Sequence, residues 1–251
     1  NQLTHEDFLS HFVDKKAMEK YLAVRDTLVE PYVREYEVMR GDEHVFVLCH
    51  TKLITLANGD RVSLTSVMNV TENKKFEQRL LVQSRMDALT KICNRGYGEA
   101  QIEKLLKAKK NGMFLLFDVD KFKHINDTYG HLAGDKVIKM VASIDDKFAR
   151  AHGGFACRYG GEEFLLVLPG YDETQALPIL EEMHKEIQTT IVQYDDKEIP
   201  VNVCIGLSAY PTICRDTNIL VNRADKSMYY GKKHGRGRLV VDNPAVDDMQ
   251  S

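Results

Sequence analysis

Four carboxylates in two separated stretches are the residues of this chain best placed to do chemistry. Asp118 and Asp120 close the apolar run Met113-Phe114-Leu115-Leu116-Phe117, and Glu162 and Glu163 follow Gly160-Gly161 in Arg158-Tyr159-Gly160-Gly161-Glu162-Glu163-Phe164. Gathered carboxylates repel one another unless a cation neutralises them. Hard divalent ions such as Mg²⁺ take oxygen ligands, usually one or two carboxylates plus substrate phosphates. Two such ions can stabilise the attacking and the leaving oxygen of an in-line phosphoryl displacement. Taken alone, Asp118-Val119-Asp120 reads more readily as a solvated acidic loop. Gly160-Gly161 alone is a turn, where glycine supplies positive φ and lets a phosphate approach the backbone. Followed by Glu162-Glu163 and a buried-type strand, that turn presents two carboxylates.

Between the acidic stretches lie Lys121-Phe122-Lys123-His124-Ile125-Asn126-Asp127 and Gly130-His131-Leu132-Ala133-Gly134-Asp135. Lys123 could offset phosphate charge in a transition state. An Asn126 amide with an Asp135 carboxylate can satisfy a guanine edge. The carboxylate accepts from the ring N–H and the exocyclic amine, which adenine does not offer as a pair. The rival reading makes Asp127 or Asp135 a helix cap. Lys232 and Arg236 stand four apart with Gly235 between them. That is the usual pattern of a helix C-terminus, and it could also deliver two cations to triphosphate oxygens.

The elements that must position these groups form an α+β chain. After residue 91 the pattern predicts strand 113–118, helix 133–149, strands 155–159 and 162–168, helix 172–192 and strand 200–208, then helix 217–233 and strand 238–241. The first six spell β-α-β-β-α-β, the ferredoxin-like order. Right-handed crossovers make the first and third strands central antiparallel neighbours, which brings Asp118 beside Glu162. Upstream, a helical stretch over 7–28 precedes strands 35–39, 45–56 and 61–70, with turns at Arg40-Gly41-Asp42 and Asn58-Gly59-Asp60. A helix over 71–90 follows. Its Phe76, Leu80, Gln83 and Asp87 fit a short two-chain coiled coil as well as a helix packed on its own domain. The domains expected are 1–75, a linker helix 76–90, and 91–251.

The 251 residues carry a net charge of −3, which gives no reason to expect a nucleic-acid or anionic-membrane partner for the whole surface. Five scattered cysteines without a C-x-x-C pair argue against structural disulfides or zinc and for a reducing compartment, the cytoplasm. No apolar stretch approaches the roughly 20 residues that span a bilayer. The chain starts at Asn1 rather than Met, so a fragment is expected, with room for an anchor or further sensor outside it.

Together these residues resemble the GGDEF family of diguanylate cyclases, in the GGEEF variant, over about residues 87–241. The ordered set carries the resemblance. It comprises Asp87-Ala88-Leu89-Thr90 with Asn94-Arg95, Phe117-Asp118-Val119-Asp120 with Phe122-Lys123, Asn126-Asp127 with Gly130-His131 and Gly134-Asp135, Arg158 to Phe164, Ile205-Gly206, Ala224-Asp225 with Met228-Tyr229, and Lys232 with Gly235-Arg236. It implies a palm-like cyclase fold and condensation of two GTP into cyclic di-GMP with release of two pyrophosphates, each protomer of a homodimer holding one GTP. Asp118, the Val119 carbonyl, Glu162 and Glu163 would bind two Mg²⁺, with Mn²⁺ an alternative. Glu162, Glu163 and Lys123 would be catalytic. Asn126 and Asp135 would read guanine, with His131 a weaker substrate contact, Phe122, Gly160 and Gly161 would line the substrate, and Lys123, Lys232 and Arg236 would hold phosphates.

Several positions depart from the family's usual pattern. Lys91 and Cys93 stand for Gly and Pro, and Gly237 for Asn. Ala151 and Gly154 stand where an inhibitory Arg-x-x-Asp product site would be, so inhibition through that site is not expected. Residues 35–75 resemble the C-terminal half of a PAS sensor, with the helix and early strands that wall a PAS pocket short or absent, so neither haem nor flavin is expected there. The signal sensed is not specified by the sequence. The alternative activity is a non-catalytic GTP or cyclic di-GMP receptor.

Overall fold

A computed structural model describes residues 12–24, 30–210 and 216–242. The chain divides into two compact units, Asn1–Val82 and Gln83–Ser251.

In the N-terminal unit, α1 (Lys15–Val24) precedes β1 (Tyr32–Arg40), β2 (Glu43–Thr55) and β3 (Arg61–Asn69), an antiparallel sheet in sequence order. The β2–β3 turn uses Asn58-Gly59, with Gly59 at φ +89° and the Asn58 carboxamide accepting from the Asp60 N–H. Such left-handed backbone is free of penalty only for glycine. Phe12, Ala17, Met18 and Tyr21 pack with Tyr36 and Cys49 in a small core. Alternation buries Cys49 and exposes His50.

Two helix bounds differ from the sequence reading. Within 7–28, helix is found at Lys15–Val24, while Phe12 bridges Val38 as extended chain; 7–11 and 25–28 lie outside the described residues. The helix expected over 71–90 is α2 (Thr71–Gln83). Beyond its end, the Asp87 carboxylate collects the Leu89 and Thr90 N–H groups and the Thr90 hydroxyl, a local turn in place of the helix expected there. Lys91 then takes φ +62°, a conformation in which glycine would be unstrained.

The C-terminal unit runs β4 (Cys93–Asn94), α3 (Arg95–Lys107), β5 (Gly112–Val119), α4 (Phe122–Tyr129), α5 (His131–Ala151), β6 (Phe155–Arg158), β7 (Glu163–Pro169), α6 (Glu173–Thr189), β8 (Val192–Tyr194), β9 (Lys197–Ile199), β10 (Val203–Tyr210), α7 (Thr217–Lys233) and β11 (Leu239–Val241). Its six-stranded sheet has the order β11-β10-β5-β7-β6-β4, so the expected β5–β7 antiparallel neighbours are present. Side-chain alternation splits the core. Met113, Leu115, Phe117 and Val119 meet residues of α5 and α6 on one face, whereas Phe114 and Leu116 meet Ile102 of α3 and Leu220, Ala224 and Met228 of α7 on the other. Every residue of β5 is buried.

Candidate active site at the end of strand β5 and the β6–β7 hairpin

Register places the acidic groups. Asp118 pairs with Glu163 across β5 and β7, and the Val119 N–H donates to the Glu162 carbonyl at 3.2 Å. A one-residue slip would turn every apolar side chain of these strands to the wrong face, so the core fixes the pairing of the carboxylates. Burial pushes the Asp118 carboxyl up to about 6, against the pull of Lys232, and Glu162 and Glu163 push it further in the same direction. Lys232 Nζ lies 3.0 Å from Asp118 Oδ1.

Asp120 has a different task from Asp118. β5 ends at Val119, and the Asp120 N–H donates to the Asn202 carbonyl. Its Oδ2 accepts from the Gly237 N–H at 2.9 Å and from the Cys204 thiol, and Arg236 Nε stands 3.8 Å from Oδ1. This carboxylate therefore holds the loop after α7, where Arg236 and Gly237 have φ of +60° and +54°. Both glycine and asparagine tolerate that backbone, which accounts for Gly237 in place of the usual Asn. Asn202, Cys204 and Gly237 were not among the site residues foreseen: Asn202 and Gly237 act through backbone groups, which leave no trace in side-chain chemistry, and Cys204 lies inside an apolar strand.

The hairpin tip corrects the sequence reading of its glycines. Neither Gly160 nor Gly161 has positive φ. Gly160 leaves room for the Glu163 carboxylate: an added Cβ would lie 2.4 Å from Oε2, and that side chain would have to swing away. A Cβ on Gly161 would meet nothing within 4 Å, so this backbone stays open to an approaching group. The Tyr159 and Gly160 N–H groups both donate to the Glu163 carbonyl, and the Arg158 guanidinium donates to the Gly161 carbonyl and to Asp87. Asp87 is held below the usual carboxylate range by Thr90 and Arg158, despite its burial.

The groups foreseen for a base gather at the start of α5. A Cβ on Gly134 would fall 2.0 Å from Asn126 Oδ1 and 3.2 Å from Phe122 Cζ, so α4 closes on α5 through a glycine. Asn126 Oδ1 is buried without a hydrogen-bond partner, and a buried acceptor in that state calls for a donor. Asp135, half-buried, follows Gly134. It caps no helix, and neither does Asp127: α4 and α5 begin at Lys121 and Gly130 with no side-chain cap. Lys123 and His131 are exposed. Beside these elements a cavity of about 680 Å³ is lined by Asp120, Lys121, His124, Asn202, Lys232 and Arg236, among others.

The donor set suits a hard cation in one specific way. Among the described residues no three His, Cys, Asp or Glu side chains converge on a metal-sized point. What the chain offers is Asp118 with Glu163 opposite it, the one-or-two-carboxylate arrangement that leaves other ligand positions to phosphates and water. Ala151 ends α5, and a Cβ on Gly154 would lie 2.1 Å from the Val167 carbonyl, so no Asp side chain fits there on this backbone.

The family model described as diguanylate cyclase, GGDEF domain matches residues 84–238. The chain is 39% identical over 133 residues to diguanylate cyclase A of Treponema denticola, covering 53% of this chain and 36% of that protein. It is 34% identical over 189 residues to diguanylate cyclase DgcM of Escherichia coli, covering 73% of this chain and 44% of that protein. The chain thus spans less than half of these curated relatives. The coiled-coil and GGDEF domain structure of DgcB from Caulobacter crescentus, in complex with c-di-GMP, superposes with a TM-score of 0.63 at 26% identity, covering 68% of this chain and 93% of that one. Strand register, hairpin and sequence match agree, and this chain belongs to the GGDEF family of diguanylate cyclase domains.

Proposed function

We propose that the protein is a diguanylate cyclase that condenses two GTP into cyclic di-GMP and two pyrophosphates at a homodimer of its C-terminal units. The pairing of Asp118 with Glu163 at the end of two strands with buried interiors carries this reading. Asp118, the Val119 carbonyl, Glu162 and Glu163 would hold two Mg²⁺ or Mn²⁺, which when bound supply charge neutralisation at the phosphates. Asn126 offers its unpartnered carbonyl to the guanine exocyclic amine, and Asp135 accepts from the ring N–H and that amine. Lys232 and Arg236 exchange their carboxylate partners for phosphate oxygens, with Lys123 as a further cation. Gly161 leaves the hairpin backbone open to the triphosphate. Glu163, beside Asp118, ligates metal or takes the proton of the 3′-hydroxyl, and each hydroxyl attacks the α-phosphate held by the partner subunit.

The N-terminal unit, read as PAS-like, would control pairing of the catalytic units in response to a signal. The setting proposed is the cytoplasm; no helix among the described residues is long and apolar enough to cross a membrane. Chromatography of products from GTP and Mg²⁺ at several protein concentrations tests the reading. Cyclic di-GMP should form with a rate per chain that rises with concentration, and ATP should give no cyclic product. Nucleotide binding without turnover at every concentration would support the receptor reading instead.

A further inference from the structure

Cys93 and Cys157 are direct partners across the parallel pair β4–β6. Residues in register on adjacent strands present their side chains on the same face, and both sulfurs belong to the core cluster that includes Ile102 and Leu165. Strands about 4.8 Å apart place paired Cα atoms inside the range that a disulfide spans. Both thiols are free here. Their accessibility differs. Cys157 is fully buried, and the first turn of α3 lies over it closely enough that a Cβ on Gly98 would come 2.6 Å from its sulfur. Cys93 is partly exposed.

We propose that Cys93 and Cys157 form a peroxide-reactive dithiol that closes to a reversible disulfide, with Cys93 as the attacking sulfur and Cys157 as the resolving one. The chemistry balances in two steps. Cys93 attacks one peroxide oxygen, an S–O bond forms, the O–O bond breaks, and hydroxide departs to become water. Cys157 then attacks the sulfenic sulfur, the S–S bond forms, the S–O bond breaks, and a second water carries away the Cys157 proton. The two thiols lose two electrons to hydrogen peroxide, and an external dithiol returns them.

The surroundings agree with this division of labour. Hydrogen bonding from Cys157 lowers the Cys93 thiol below its ordinary value, with Arg150 assisting and burial and Asp146 opposing, whereas Cys157 is raised. The thiolate is the form that reacts, so Cys93 reacts first. The nearby Asp145 is wholly buried, and that burial raises its carboxyl well above the ordinary value, which disfavours a negative charge beside the thiolate. The pair also sits at a sensitive place: Cys157 directly precedes Arg158, which ties the hairpin carbonyl of Gly161 to Asp87.

The test uses the intact chain, folded by circular dichroism, with hydrogen peroxide as the probe and peptide mapping without reductant. A Cys93–Cys157 linked peptide should appear and should vanish with dithiothreitol. Cys93→Ser should abolish the link and leave Cys157 unmodified. Should that variant fold poorly, iodoacetamide on the parent protein decides the order, with Cys93 alkylated before Cys157. Oxidation of Cys93 to sulfinic acid while Cys157 stays free, a link to Cys49, Cys204, Cys214 or a second chain, or earlier alkylation of Cys157 would each overturn the proposal.

Discussion

β5 buries all eight of its residues, and β3 exposes all nine of its own. The difference follows from what covers each sheet. Helices pack on both faces of the C-terminal sheet, and its central strands read as continuous apolar runs. The described N-terminal sheet has one small core, formed with α1, and beside it an apolar cavity of about 480 Å³ lined by Tyr21, Tyr36 and Cys49 among others. A strand enclosed on both sides cannot slip, so charged residues at its end keep fixed partners. A strand with solvated faces has no such lock. This chain sets its carboxylates on the first kind of strand.

The comparison breaks most visibly if chemistry does not depend on the locked hairpin. Glu163→Gln should lower cyclic di-GMP formation at least about 100-fold, the scale of losing a positioned acid–base group; a product assay showing near-parental turnover would move the chemistry elsewhere. Next in size is the cost of loosening the enclosed sheet. Leu166→Ala, at a fully buried site in β7, should destabilise the C-terminal unit by about 2–5 kcal/mol in urea unfolding.

A smaller, pH-dependent effect is expected at Asp145, whose carboxyl oxygens are buried without partners. Its folded value is raised above the ordinary 3.8, so the unfolded chain ionises first and stability falls as pH rises toward the folded value. Asp145→Asn removes that proton linkage. Its stability relative to the parent should improve as pH rises above the ordinary carboxylate value, read from urea midpoints. A difference that stays constant with pH would show the carboxyl to be solvated. Smallest of all, Leu64→Ala on the exposed β3 should change stability by no more than about 0.5 kcal/mol. A large loss there would mean that β3 is covered in solution.

The enclosed strands were also the most legible part of the sequence. Met113 to Phe117 and Phe164 to Leu168 are uninterrupted apolar runs, and topology then put Asp118 beside Glu162, one residue short of the Glu163 that the register sets opposite it. α3 was not foreseen, because Arg95-Gly96-Tyr97-Gly98 opens it with two glycines and reads as a loop. Its start is set by the Asn94 side chain accepting from the Tyr97 N–H, and by the close approach of Gly98 to Cys157. α4 is short, starts at Lys121 in left-handed backbone without a side-chain cap, and so left no boundary signal. The division of labour between Asp118 and Asp120 was equally hidden. The strand ends between them, and Asp120 turns to a backbone N–H far along the chain.

The backbone at Gly154 has a consequence for the history of this lineage. With the Val167 oxygen 2.1 Å from where a first side-chain carbon would sit, no single codon change can install a carboxylate at that position without moving β6 or β7 first. The Arg-x-x-Asp pair that the family resemblance associates with product inhibition is thus not completed by substitution at Gly154 alone on this backbone. Any brake that descendants of this sequence acquire must arise at another surface, or wait for a prior rearrangement of the strands that carry the hairpin.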